Sequence, residues 1–216
     1  KNLPLWVQAK RLPSIKNALL DDWEQKIEKI IKECKNANIV SISGVPSWTI
    51  IIMNTLLSIQ KKQDLSEIWP NLELYMHGGV SFDNYKTTFN RLCTKKINYL
   101  ETYNASEGFF GIQNEPAKSD LLLLTNHGIF YEFIPIKNGI ERHEKTISLK
   151  DVKLNTNYAL IISSNGGLWR YKIGDTIKFT SLHPYKIKIT GRVQSFINAF
   201  GEELSVENAN QAIKFA

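Results

Sequence analysis

Residues 39–60 read IVSISGVPSWTIIIMNTLLSIQ, and the fold class turns on how this stretch is parsed. Ile39-Val40-Ser41-Ile42 is a short β-rich run. Ser43-Gly44-Val45-Pro46 carries turn chemistry, and residues 48–60 are apolar over a length that only a helix uses. Ser47 stands where a helix cap is expected. Upstream, residues 13–36 predict an amphipathic helix. Ile15, Ala18, Leu19, Trp23, Ile27, Ile30 and Ile31 recur at helical spacing, and Ser14 is a candidate cap. Downstream, residues 72–76 predict a strand between Pro70 and Gly78, residues 82–93 a helix, and residues 97–102 another strand. Alternation of strand and helix predicts an α/β fold with a parallel sheet. After Glu107 the pattern changes. Runs at 121–124, 128–133, 158–163, 167–175 and 185–190 are strand-like and separated by Asn, Gly and Pro turns, so they predict a mostly antiparallel β substructure. A helix is expected from Glu207 to Lys214.

Length and composition set the outer bounds. The 216 residues suit one large domain or two small ones. With 43% apolar and 22% charged residues, the chain matches ordinary globular proteins, which argues against disorder, collagen and coiled coil. Its apolar runs, such as residues 50–53 and 121–124, are far too short to span a bilayer, so no membrane partner is expected. The start of the chain lacks the pattern of a signal peptide. Twenty-seven basic against 21 acidic residues give a net charge of +6, which permits an anionic ligand such as a nucleotide. The lysines are scattered and the aromatics sit in apolar strands, so nucleic acid is not the expected partner. Cys34 and Cys93 lie in unrelated segments without a CxxC or a His cluster, so neither a zinc site nor a disulfide scaffold is expected. Free thiols suit a reducing cytoplasm. The chain begins at Lys1 and ends at Ala216 within the expected last helix, so it reads as a fragment.

Four motifs offer chemistry. His77-Gly78-Gly79 closes a strand, and its glycines let a ligand approach the backbone. Tyr103-Asn104-Ala105-Ser106-Glu107-Gly108 follows a strand, where open α/β sheets bind ligands. It supplies a flat ring, a hydroxyl and a carboxylate able to hold magnesium. In Tyr171-Lys172-Ile173-Gly174-Asp175, the acceptor-only carboxylate of Asp175 suits a ribose diol. Gly191-Arg192 offers a guanidinium for phosphate or ribose, and the Asn/Gly stretch around Gly201 suits a hinge. Taken singly, each also reads as ordinary structure: a plain turn, a buried tyrosine at a corner, a β-turn aspartate, a surface arginine. No G-x-G-x-x-G, G-x-x-x-x-G-K-[ST] or G-x-S-x-G pattern is present.

Their order is more informative. Glycine pair, Tyr-x-x-Ser-Glu-Gly, Tyr-Lys-Ile-Gly-Asp and Gly-Arg resemble the motif series of the acyl-adenylate-forming superfamily. YNASEGFFG (103–111), GGLWRYKIGD (166–175) and GRVQSFINAFGEEL (191–204) resemble the auxin-responsive acyl acid–amido synthetase family of plants and its bacterial homologues. The resemblance runs from about Leu3 to Phe215. It implies that this chain is the second half of a large adenylating domain. Residues 1–107 would be its α/β part, 108–190 its β-rich part, and 191–216 a hinge and the start of the link to a C-terminal lid. It implies that Tyr103 packs on adenine, Ser106 lies in the nucleotide site, and Glu107 holds Mg²⁺ near the α-phosphate. Asp175 would bind the ribose hydroxyls and Arg192 would lie by ribose and phosphate. Gly78 and Gly79 would line the adenine slot, and Phe109 and Phe110 would help wall the acyl pocket.

The implied reaction is a two-step ligation. A carboxylic acid attacks ATP to give an acyl-adenylate and pyrophosphate, and an amine or amino acid then displaces AMP to form an amide. The family's phosphate-binding loop and its lid with a catalytic lysine have no counterpart in these residues, so the segment by itself is not expected to complete the reaction. An acyl–coenzyme A ligase of the same superfamily and a non-catalytic nucleotide-binding module are the alternatives. Nothing in the pattern names the acid or the acceptor, or sets an oligomeric state.

Overall fold

The computed structural model describes residues 4–80, 82–116, 118–137, 140–141, 146–193, 196–199 and 202–205. Two compact units divide between Glu101 and Thr102.

The first unit carries helices α1 (Leu5–Lys10), α2 (Ile15–Ala18) and α3 (Trp23–Cys34), strand β1 (Ser41–Gly44), helix α4 (Pro46–Gln60), strand β2 (Leu74–Gly78), helix α5 (Asp83–Leu92) and the start of strand β3 (Asn98–Ala105). β1 and β2 pair in parallel, Ser41 with Leu74 through Gly44 with His77, and α4 is the crossover between them. The stretch at 39–60 is therefore the first strand and crossover of a β–α–β unit, as its sequence predicts.

Two helix starts differ from expectation. Pro46 itself takes the first turn of α4 after Val45, so Ser47 lies inside the helix. Proline favours that position because its fixed φ is already helical and its missing N–H would have no partner there. The expected single helix at 13–36 is broken into α2 and α3. The Asp22 carboxylate accepts from Gln25 N–H at 2.7 Å and starts α3 afresh, since a capping aspartate competes with helix continuation. Ser14 precedes α2, but its hydroxyl goes to Glu33 at 2.7 Å rather than to the helix backbone.

The core of the first unit is aromatic. Tyr75 stacks on Phe89 with ring centroids 4.5 Å apart, and His77 stacks on Phe82 at 4.1 Å. Met53, Leu56, Leu65 and Leu72 complete it. Burial pushes the His77 pKa down to about 4, against a smaller opposing pull from Asp83. Cys34 and Cys93 are free and buried, and burial, helped by Glu33, pushes the Cys34 thiol up to about 11. Asp64 receives N–H bonds from Ser66 (2.7 Å) and Thr94 (3.0 Å). Burial acts to raise its pKa, but these bonds outweigh it and hold the carboxyl at about 2.

The second unit is an antiparallel sheet with β3 at one end. It adds β4 (Gly108–Ile112), β5 (Leu121–Leu123), β6 (Ile129–Lys137), β7 (Ile140–Glu141), β8 (Ile147–Ser148), β9 (Asn157–Ser164), β10 (Tyr171–Leu182) and β11 (Tyr185–Arg192). The order is β3–β4–β5–β11–β10–β9–β6–β7, with β8 also on β6. A separate antiparallel hairpin joins β12 (Phe196–Ala199) to β13 (Glu202–Ser205). The change to antiparallel strands after Glu107 thus matches the sequence. Phe110, Phe133, Tyr158, Leu160, Ile162, Ile177, Phe179 and Ile187 are all at most 1% exposed and form this unit's core. The hinge expected at Gly201 and the helix expected from Glu207 lie outside the described residues. Among the described residues, no helix is long and apolar enough to cross a membrane.

Two acid-sensitive windows are expected. His77 is depressed from 6.5 to about 4, so its contribution is full above pH 6.5 and declines as pH falls toward 4. Asp64 is depressed from 3.8 to about 2, so its contribution is lost below pH 4. Urea midpoints measured against pH will show His77→Phe flattening the upper window and Asp64→Asn the lower. Asp64→Ala will lose about 1 kcal/mol at pH 7, as for loss of a helix cap.

Candidate functional site

Three of the expected site residues come together in the second unit. Tyr103 lies on β3, Asp175 on β10 and Arg192 at the end of β11. Asp175 and Arg192 are direct partners across the β10–β11 ladder, so 17 positions of sequence collapse into a single cross-strand pair. Arg192 Nε donates to Asp175 Oδ1 at 2.9 Å, and the Tyr103 hydroxyl donates to Asp175 Oδ2 at 2.8 Å. Asp175 is 7% exposed and Tyr103 is 4%, whereas the Arg192 side chain is 69% exposed. A nearly buried carboxylate is tolerated only when its oxygens are satisfied, and both are. Burial, reinforced by the neighbouring Asp175 charge, raises the Tyr103 phenol far above its ordinary range. The phenol therefore stays protonated and acts as a donor.

Local backbone places the carboxylate. Gly174 has φ +90°, and the β9–β10 pairing shifts register between Lys172 and Thr176. Gly174 also accepts Val193 N–H at 2.8 Å, which ties the two strand ends beside the pair. The Thr176 and Thr190 hydroxyls bond each other at 2.9 Å across the same two strands.

Ser106 and Glu107 are the two residues of the tight β3–β4 hairpin, because Ala105 pairs with Gly108. The motif is thus a hairpin tip, where the sequence predicts a loop after a strand. Its strand part runs longer than expected because Tyr103 and Asn104 continue the ladder. Glu107 is half-buried and Ser106 exposed. Among the described residues, Glu107 has no hydrogen-bond or ion-pair partner, and no group of three or more His, Cys, Asp or Glu is arranged to hold a metal. Magnesium commonly takes one or two carboxylates with the remaining positions filled by phosphate and water, so a lone uncommitted carboxylate fits it.

Phe109 and Phe110 separate. A register shift after Tyr103 puts Phe110 fully in the core, edge-on to Tyr103 at 5.0 Å, while Phe109 is 40% exposed. Gly78 and Gly79 belong to the first unit, at the carboxyl end of β2, where Gly79 has φ +84°.

Sequence reasoning missed two polar clusters of this unit. Arg170, in the left-handed region at φ +45°, donates through Nε to Glu132 at 3.0 Å and through Nη2 to Thr146 at 2.9 Å. Lys186 is buried in β11 and pairs with Glu115, with Asp120 Oδ1 3.7 Å away. Arg170 lies within a recognised motif, but no local pattern links it to Glu132 and Thr146 or Lys186 to Glu115, since the partners are between 24 and 71 residues apart.

The fold is that of the adenylating region of acyl-adenylate-forming enzymes. A solved GH3.15 acyl acid amido synthetase superposes with TM-score 0.73 at 12% identity, over 95% of this chain and 46% of that one. A 2-hydroxyisobutyryl-CoA ligase, in an open conformation with 2-HIB-AMP and CoA, superposes with TM-score 0.61 at 12% identity, over 88% and 45%. The family is narrower than the fold. The GH3 family N-terminal domain matches residues 1–97, and the GH3 family central domain matches residues 122–192. The chain belongs to the GH3 family. Jasmonoyl–L-amino acid synthetase JAR4 of Nicotiana attenuata is 33% identical over 126 residues, covering 55% of this chain and 22% of that protein. Probable indole-3-acetic acid-amido synthetase GH3.11 of Oryza sativa subsp. japonica is 28% identical over 131 residues, covering 55% and 19%. The chain spans about a fifth of the length of these curated relatives.

Two glycines of the 166–175 motif, Gly167 at φ +100° and Gly174 at φ +90°, have positive φ, and Gly174 is the one beside Asp175. Gly174→Ala meets no atom within 4 Å and suffers only backbone strain, so it will lose about 1–2 kcal/mol in urea unfolding. Gly166→Ala, in ordinary contact with Ser164 at 3.5 Å and without a positive φ, will stay within about 0.5 kcal/mol of the parent.

Proposed function

We propose that this chain is part of the adenylating domain of an acyl acid amido synthetase. It would activate a small carboxylic acid with ATP and pass the acyl group to an amine or amino acid. The observation that carries the reading is the Asp175 carboxylate, fixed by Tyr103 and Arg192 from two other strands. We read residues 1–107 as the α/β part, 108–190 as the β-rich part and 191–216 as hinge and link toward a lid.

In this reading Asp175 accepts the ribose hydroxyls, since a carboxylate has about four lone-pair sites and two are taken. Arg192, largely exposed, reaches toward ribose and phosphate. Tyr103 serves the adenine end, and Ser106 lines the hairpin tip. Glu107 would hold Mg²⁺, which when bound neutralises charge on the phosphates. Phe109, with its ring on the surface, is the better placed of the two phenylalanines to wall an acyl pocket, while Phe110 supports Tyr103 from below. Holding acid and nucleotide in line supplies much of the rate by itself. Free buried thiols at Cys34 and Cys93 support a reducing compartment such as the cytoplasm.

Transfer to coenzyme A is the second reading, supported by the fold shared with a CoA ligase. Family membership favours the amine. Acid-dependent ATP–pyrophosphate exchange by the full-length protein, over a panel of aryl, indolyl and fatty acids, tests the reading. One acid will stimulate exchange, and Glu107→Ala will slow it about 100-fold or more, the usual scale for losing a charge-stabilising group. Product analysis with amino acids and with coenzyme A then assigns the acceptor. ATP binding without exchange for any acid would point instead to a non-catalytic nucleotide module.

A further inference from the structure

The two partners of Asp175 differ in a way that sorts their roles. Tyr103 comes from a buried position on β3, its ring wedged edge-on against the fully buried Phe110. Gly111 stands opposite Tyr103 in β4, and a side chain there would meet Leu121 Cβ and Leu122 O at 3.3 Å and Tyr103 Cβ at 3.6 Å. The tyrosine is thus clamped by backbone and core on the side away from Asp175. Arg192 comes from a strand end, and most of its side chain is in solvent. One carboxylate oxygen therefore has a rigid partner and the other an exchangeable one.

We propose that the Tyr103 hydroxyl is a positioning residue: it fixes the Asp175 carboxylate so that the site selects a nucleotide with an intact ribose diol. Arg192 holds the outer oxygen in the free protein and yields space there when the diol binds. The inference rests on the nucleotide-binding reading above and adds to it the group that sets sugar selectivity. A diol makes two hydrogen bonds to one carboxylate only when both oxygens face it. A carboxylate tethered through Oδ2 keeps that orientation, whereas one released from Tyr103 can rotate about the Cβ–Cγ bond and offer a single oxygen. Hydrogen bonds to a charged acceptor discriminate strongly when geometry is held, because the deoxy analogue leaves the acceptor unmet.

The test is calorimetric titration of the full-length protein with AMP, 2′-deoxy-AMP and 3′-deoxy-AMP. The parent will prefer AMP over either deoxy form by about tenfold or more. Tyr103→Phe keeps the ring and its packing and removes only the hydroxyl. It will bring the preference below about threefold while still binding AMP. In the double variant with Asp175→Asn, the hydroxyl deletion will cause no further loss, because Tyr103 acts through Asp175. A purely structural tyrosine would lower the melting temperature and leave the preference unchanged, and that result overturns the inference while the nucleotide reading stands. Should Tyr103→Phe fail to fold, Tyr103→Met replaces it, since a flexible apolar side chain can refit the core while removing the donor and leaving Asp175 in place. Loss of the preference supports the inference, and a parental preference overturns it. A parent protein that binds no AMP overturns both the inference and the reading beneath it.

Discussion

A carboxylate that water barely reaches has to be held by hydrogen bonds, and the second unit is arranged around that requirement at Asp175. The ladder puts Arg192 directly opposite it, the bulge at Gly174 sets its height, and Tyr103 arrives from a strand four places away in the sheet. None of these features explains itself alone. A left-handed glycine, a phenol buried with its hydroxyl turned inward, and a strand ending on an arginine would each be an odd local choice. Around one buried charge they become consistent with one another.

The two units solve different packing problems. The first closes a parallel β1–β2 pair with helices and fills the gap with stacked aromatics, so its order depends on ring against ring. The second pairs its described strands antiparallel and draws its core from Tyr158, Leu160 and Ile162 of β9, Ile177 and Phe179 of β10 and Ile187 of β11. Polar links such as Arg170 with Glu132 and Lys186 with Glu115 then join strands to the connections that flank them.

Period and turn chemistry made much of this legible. The β–α–β start at residues 39–60 and the switch to antiparallel strands after Glu107 both follow from spacing of apolar residues. Helix ends were harder, because Pro46 and Ser47 are both good first-turn residues and only backbone geometry chooses between them. Asp22 likewise looks like one more polar residue on a helix face until its side chain caps. At the candidate site, motif order singled out Tyr103, Asp175 and Arg192, but not that one of them would bond the other two. Such a contact depends on strand register, which a one-residue bulge alters and no local pattern encodes. The bulge that sends Phe110 inward and leaves Phe109 outside was invisible for the same reason.

The buried thiols of the first unit have a practical consequence. Reaction with an alkylating or disulfide reagent needs thiolate, and burial keeps Cys34 in its neutral form at ordinary pH. Cys93 is raised by burial as well, with the nearby Asp64 charge adding to the effect. Neither sulfur is open to solvent in the folded state. Their modification rates therefore report how often the first unit opens, one from the end of α3 and one from the end of α5. The protein carries two internal clocks for local unfolding, with no label to be introduced.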